Sequence, residues 1–581
     1  GADSFNLNDF EGILLSLSNF SPSVVSNPNG RTDIVLLAKD QSALQRIGYV
    51  PKTKKFSLLS TIQLSSISSS KVENLVVLAP PSPAYNTDLF LHTRDQFAGD
   101  VAVLNSSHPL FFDYYGNFSV GMLANPYSES SPQIESPMLF KPLYNQSSNS
   151  LTFKQLANPH SSAFIDLDGD CLAGNTAPES DKFEFSSSGV LPEGTGQISF
   201  ADIDNSGSMD MIFPVCNSTS CEIHIVYNSQ LPFCNTESTY NLPKNSKCRP
   251  LDHVCKSDIN FGFDLSNPKY HAVIKMEEIL PGETLKVEDP NFDGPQPIQI
   301  QLEEKQAVVK RRASIFDGVW EKLFGDKDGK KIRGNSRVRL LKNVGDESKS
   351  ANNLPRRRDF KVLGSGTEMD SGLYLEGNPT KAVFYDMDEN GTLDILVSYV
   401  DKTGKSRIKL FKNNYHTASS FFLKASVCSY GGYSSHDKNL GYMFGGSFKC
   451  VLTSGKKKLV MTGSQLSSTG YRSFQQPFVL FGLGKFNNYI NALYIGSTTS
   501  FVSTTESLIP NSRLYFLVDR KDNFKPILVL PEAKNPYFIL IGLSVTMVIL
   551  AVSILVLNKF ERDSDLAEKQ NQLFWINFDA L

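Results

Sequence analysis

At 581 residues and a net charge of -3, the chain has room for several domains and no basic excess that would suit a nucleic-acid partner. Phe (40) and Tyr (21) far outnumber Trp (2), and with dense Ser, Asn and Gly turns this balance predicts an all-β chain of short strands. The cysteines form no CxxC or Cys/His cluster, which excludes a zinc module.

The chain opens GADSF with no apolar leader, and the expectation is that a signal peptide has already been removed. One short window then recurs. Asp33 in NPNGRTDIVLL and Asp88 in AYNTDLFL are its most eroded copies, each an Asp followed by a strand-like run. Asp113–Gly121 keeps Asp113 and Asn117. Asp166–Gly174 (DLDGDCLAG) keeps Asp166, Asp168 and Asp170. Asp202–Asp210 (DIDNSGSMD) has Asp202, Asp204, Ser206 and Asp210 at positions one, three, five and nine. Asp289–Pro297 (DPNFDGPQP) keeps Asp289, Asn291 and Asp293 but ends in Pro297. Asp386–Asp394 (DMDENGTLD) has the full set again, Asp386, Asp388, Asn390 and Asp394, with Gly391 at the turn.

Oxygen-bearing side chains at alternate positions of a tight turn suit a hard cation such as calcium, which takes six to eight oxygens at roughly 2.3–2.6 Å. An EF-hand would have a Glu at position twelve; here Val397 lies in a run of strand formers, so the loop is expected to join strands. The competing reading is a set of Asx turns without metal. Several windows are followed by a strand that stops at Asn: GDVAVLN, CEIHIVYN, SRVRLLKN and SRIKLFKN. Loop, strand, turn, strand, repeated seven times, predicts a seven-bladed β-propeller over residues 1–420 with structural Ca2+ in its loops.

A charged insertion at about 301–335 interrupts the repeat, with a candidate amphipathic helix at Ser314–Phe324 (SIFDGVWEKLF). Residues 421–534 read as a membrane-proximal, sandwich-like β module. Tyr537–Leu557 carries no charge and is long enough to cross a hydrocarbon core of about 30 Å. Asn558-Lys559 is expected to close that helix, leaving 558–581 as a cytosolic tail. All eight cysteines precede the span, which suits disulfides in an oxidising compartment. Cys216–Cys221 and Cys428–Cys450 are the expected pairs; Cys171, Cys234, Cys248 and Cys255 stay unassigned. Glycosylation sequons occur at Asn19, Asn105, Asn117, Asn145 and Asn217, and also at Asn390. Together these features predict a type I single-pass glycoprotein with an extracellular or lumenal ectodomain.

The loops with their trailing strands resemble the FG-GAP repeats of integrin α-subunits. DMIFPVCNSTSC, RIKLFKNNYHTASSFFLKASV, FVLFGLGKFNNYINALYIG, IPNSRLYFLV and the terminal NFDAL further resemble the T-cell immunomodulatory protein family, also called linkin. The resemblance implies a cell-surface or endomembrane glycoprotein with adhesion-like or modulatory roles and no catalysis. Partners are expected to be proteins, bound through propeller faces, insert helix or tail, with the membrane engaged through 537–557. The alternatives are an accessory subunit of a larger endomembrane complex and a propeller hydrolase. The hydrolase is disfavoured by scattered His residues and by the lack of GxSxG or HExxH.

Overall fold

The computed structural model describes residues 163–173, 189–217, 220–234, 236, 247–280, 336–345, 358–362, 373, 375, 377–387, 390–413, 421–431, 439–442, 445–454, 457–466, 476–485, 488–498, 502–518, 524–529 and 536–573. It also describes short strands elsewhere, within 4–6, 12–18, 33–38, 42–50, 55–63, 72–78, 88–93, 110–113, 120–124, 138–141, 147–150, 176–177, 182–183, 283–286 and 301–304. The insertion helix expected at 314–324 lies outside these residues. Residues Gly1–Leu530 form one compact unit and Pro531–Leu581 a second.

The first unit is built of small, mostly antiparallel sheets. Ser199–Ala201, Asp210–Cys216, Cys221–Val226 and His271–Lys275 form one four-stranded meander. Gly12–Ser18, Asp33–Ala38, Ala43–Val50 and Lys55–Gln63 form another, and Leu110–Asp113, Val120–Ala124, Met138–Lys141 and Ser147–Ser150 a third. In the fourth, Gly377–Tyr385, Asp394–Asp401 and Ser406–Phe411 are joined by Ser4–Asn6, with Ser4 opposite Phe411 and Asn6 opposite Lys409. Asp33, Asp88, Asp210 and Asp394 each begin a strand, as the repeated window predicts. Asp113, the first rather than the last residue of its window, ends a strand, much as the strands Ser199–Ala201 and Gly377–Tyr385 end just before Asp202 and Asp386.

From Phe421 onward two sheets pack face to face. Phe421–Gly431 lies between the parallel strand Ser512–Val518 and, on its other edge, the antiparallel strands Val479–Gly484 and Asn439–Tyr442. Phe524–Val529 extends this sheet beyond Ser512–Val518. The second sheet runs Lys457–Gln465, Gly446–Ser454, Ile490–Gly496, Val502–Leu508. Because side chains alternate across a strand, Leu423, Ala425 and Val427 of one sheet meet Phe448, Cys450 and Leu452 of the other in a buried core. The Phe448 and Phe516 rings lie 6.4 Å apart within it.

That alternation corrects one expectation. Cys450 faces the sandwich core, but Cys428 is one residue out of phase with Val427 and packs on the opposite face of its sheet with Tyr515, Leu517 and Val529. The two thiols therefore stay free and buried rather than forming the expected disulfide. Cys216–Cys221 is bonded across the VCNSTSC hairpin, and the four unassigned cysteines pair as Cys171–Cys255 and Cys234–Cys248.

The second unit contains one helix, Pro536–Leu573. Pro536 occupies the first helical position, where its missing N–H costs nothing. The helix does not stop at Asn558-Lys559: residues 559–573 contain no Gly or Pro and are rich in Glu, Lys, Gln and Leu, so the polar tail continues the same helix. Its apolar stretch is fully exposed, with a mean hydropathy of 2.8. Between Leu540 and Leu557 the Ser and Thr hydroxyls are each satisfied by a carbonyl about one turn back: Ser544 Oγ donates to Leu540 O, Thr546 Oγ1 to Leu543 O and Ser553 Oγ to Ile549 O, all at 2.8 Å.

Candidate metal centres at the acidic loops

The Asp202–Asp210 loop folds around its own carboxylates. Asp202 accepts the N–H groups of Ser206 (2.9 Å) and Gly207 (3.1 Å), and Asp204 shares the Ser206 N–H at 2.9 Å. Asp210 accepts from Ile203 N and Asn228 N, both at 3.0 Å. Gly207 adopts φ +82°, and a Cβ there would meet Val460 Cγ1 at 2.9 Å, so this position requires glycine on both counts. Carboxylate oxygens of Asp202, Asp204 and Asp210 all come within 4.8 Å of one another. Burial, followed by the neighbouring Asp204 carboxylate, pushes Asp202 and Asp210 well above the ordinary carboxylate range. Backbone N–H groups, that of Thr462 among those at Asp202, oppose the rise. Three converging acids in a partly desolvated turn fit a hard cation, which would relieve their repulsion.

The Asp386–Asp394 loop repeats the pattern. Asp386 accepts Asn390 N at 2.9 Å and Gly391 N at 3.0 Å, and Asn390 Oδ1 accepts from Thr392 N at 2.8 Å and from its hydroxyl. Asp394 accepts Asn413 N at 2.8 Å. Asp386 and Asp394 are each 1% exposed. Asp388 lies outside the described residues, so this loop's oxygen set is seen only in part.

The Asn that ends the following strand has the same task in both loops. Asn228 and Asn413 each give a backbone N–H to the last Asp and a side-chain N–H, at 3.1 Å, to the carbonyl before it (Met209 and Leu393). Asn343, at the end of SRVRLLKN, instead donates across to Ile203 O at 2.9 Å.

The Asp166–Asp170 loop is built differently. Asp166 accepts Gly169 N (2.8 Å) and Cys171 N (3.0 Å), Asp170 accepts Leu172 N (2.7 Å), and Asp168 accepts the Ser257 hydroxyl (2.7 Å). Its carboxylates also converge within 4.8 Å. Yet Lys449 of the sandwich reaches in, with Nζ 2.9 Å from Asp166 Oδ2, 2.6 Å from Gly169 O and 3.1 Å from Val254 O. Burial lowers the Lys449 pKa and Asp166 opposes that fall. Burial, with repulsion from Asp168 and Asp166, raises Asp170 to about 6.

All three loops press on the sandwich. Gly207 packs on Val460, and the Phe422 ring closes over Gly391. Ala173 N donates to Ser497 O at 3.2 Å. Phe233 and Val254 share a core with Val451 and Val460, while Tyr385, Met387 and Leu396 share one with Phe478. Between the Asp166–Asp170 and Asp202–Asp210 loops, Gln230 and Asn228 donate to Leu167 O (2.5 and 2.8 Å), and Ser208 and Arg249 donate to Gln230 Oε1 (3.0 and 2.7 Å).

The comparisons with known proteins bear on the same sandwich. A family model described as ITFG1, C2 domain matches residues 441–525, which include Lys449 and Val460. The T-cell immunomodulatory protein of Rattus norvegicus is 25% identical over 603 residues, covering 95% of this chain and 89% of its own length. The human protein of that name is 25% identical over 525 residues, covering 83% and 76%. Over most of its length the chain is similar to T-cell immunomodulatory proteins. A T-cell immunomodulatory protein homolog of Plasmodium falciparum is 26% identical over 471 residues, which is 71% of this chain. The match spans 61% of that relative's length.

In this chain the acids expected at Asp166, Asp168 and Asp170 and at Asp202, Asp204 and Asp210 are brought together in two clusters. Ser206 enters the second through its backbone N–H. Asp289, Asn291 and Asp293 lie outside the described residues, as do the sequons at Asn19, Asn105, Asn117 and Asn145. Asn217 sits exposed in the hairpin turn, where its side chain accepts Ser220 N at 2.7 Å. The loop spacing alone did not point to Lys449, Asn228, Asn413 or Gln230. A lysine between Phe448 and Cys450 in an apolar strand, and the recurrent terminal Asn, were the available signals.

Proposed function

We propose that the chain is a non-catalytic, single-pass membrane protein whose β-rich portion, a calcium-stabilised seven-bladed propeller with an attached sandwich, is a platform for binding other proteins. The observation that carries this reading is the exposed, charge-free stretch of the helix up to Leu557, whose Ser544, Thr546 and Ser553 hydroxyls are all internally bonded, following a unit tied by disulfides. A helix with every backbone and hydroxyl group satisfied suits hydrocarbon, and disulfides suit an extracellular or lumenal setting. Recurrent four-stranded sheets, and the recruitment of Ser4–Asn6 into the sheet of Ser406–Phe411, support a closed ring of blades. The described loop acids hold turns and the sandwich, which supports a structural rather than a catalytic use.

The test is topology in cells. The full chain, tagged at its C-terminus, is expected to resist carbonate extraction, to carry glycan removable by endoglycosidase, and to lose only the tag to protease added from the cytosolic side. Carbonate release or a protected tag would refute the anchor. Stoichiometric recovery of one multi-spanning partner after mild detergent extraction would instead mark an accessory subunit.

A further inference from the structure

Lys449 stands on the strand Gly446–Ser454, whose Phe448, Cys450 and Leu452 fill the sandwich core. Alternation therefore sends Lys449 to the opposite face, where it is 2% exposed. Its ammonium group finds three oxygens there: Asp166 Oδ2, Gly169 O and Val254 O. That matches its three N–H donors, and a carboxylate with loop carbonyls is also the kind of set a calcium ion takes.

We propose that Lys449 is a built-in cation that occupies the Asp166–Asp170 loop in place of calcium, closing this loop to metal and clasping the sandwich to it at any calcium concentration. The surroundings agree. Arg249, whose Nε is 3.6 Å from Asp258 Oδ2, brings a second positive charge that also acts on Asp166 and Asp168. A divalent ion entering here would meet both cations at close range in a dry site, where like charges repel strongly. Around Asp202 and Asp210, by contrast, the acting groups are carboxylates and backbone N–H donors. The two clusters thus share a sequence pattern but differ in charge. The Cys171–Cys255 bond and the contact of Ala173 with Ser497 hold the clasped loop against the sheet that carries Lys449.

The inference stands whether or not calcium binds the other loops. The test is calcium stoichiometry of the full chain in detergent, measured by equilibrium dialysis. D168N/D170N is expected to bind as many calcium equivalents as the parent. K449M keeps a long unbranched side chain but no charge; it is expected to bind one equivalent more, to melt lower in chelator and to regain part of that loss with calcium. A lost equivalent in D168N/D170N, or no gained equivalent in a folded K449M, would overturn the proposal. Should K449M not fold, the Asp variant decides alone, since a metal-filled loop must lose an equivalent there. The parent's own stoichiometry separately reports on the calcium reading of Asp202 and Asp386.

Discussion

Gly391 and Gly404 have nearly the same backbone conformation, φ +80° and +79°, but opposite surroundings. A Cβ at Gly391 would meet the Phe422 ring at 2.1 Å, whereas nothing lies within 4 Å at Gly404. Gly404→Ala is therefore expected to cost only the left-handed strain, about 1 kcal/mol. Gly391→Ala should cost about 1–3 kcal/mol more, because a buried ring must move. Urea unfolding of both variants checks this, and equal losses would show that the Asp386 loop does not seat on Phe422. Asp170 gives a pH prediction. Burial first, then neighbouring acids, raises its pKa from 3.8 to about 6. The fold thus favours the protonated form; its contribution is full below about 3.8 and is lost as pH rises through about 6. Asp170→Asn, neutral throughout, should melt higher than the parent near about pH 7.5 and lose that advantage near about pH 4. The same offset at both pH values would disprove the assignment.

Among the elements, the sandwich makes a prediction about thiols. Burial pushes both Cys428 and Cys450 up to about 12, so neither is a ready thiolate. Iodoacetamide is expected to leave the native chain unlabelled and to add two groups after unfolding without reductant. Native labelling, or no labelling after unfolding, would contradict the pairing described above. The strands and acidic turns were legible because they are local: Asp202 bonds N–H groups four and five residues on, and so does Asp386. The strand phase that separates Cys428 from Cys450 was also legible in LKASVC, but proximity in sequence suggested a bond that the two-residue period forbids. The helical tail was hidden because Asn558-Lys559 ends a hydrophobic stretch without ending helix propensity. Least legible was Lys449, whose partners Asp166 and Gly169 lie 280 or more residues away, beyond the reach of any spacing rule.

For the molecule as a whole, calcium is expected to act as a modest stabiliser. Extracellular sites bind at about 10⁻⁴–10⁻³ M, so a few millimolar calcium would add about 1–2 kcal/mol per occupied loop. Chelator should lower the melting temperature of the full chain, and Asp202→Ala/Asp204→Ala should remove part of that response. A melting temperature indifferent to both calcium and chelator would rule out metal in the loops. The pairing of Ser4–Asn6 with Ser406–Phe411 carries a different consequence. The first strand cannot find its partner until some 400 more residues have been made, roughly 20–80 s at ribosomal rates of about 5–20 residues/s. For that interval an unpaired strand edge is waiting on the nascent chain, open to wrong pairings, so whatever shields that edge has to act until synthesis has passed Phe411.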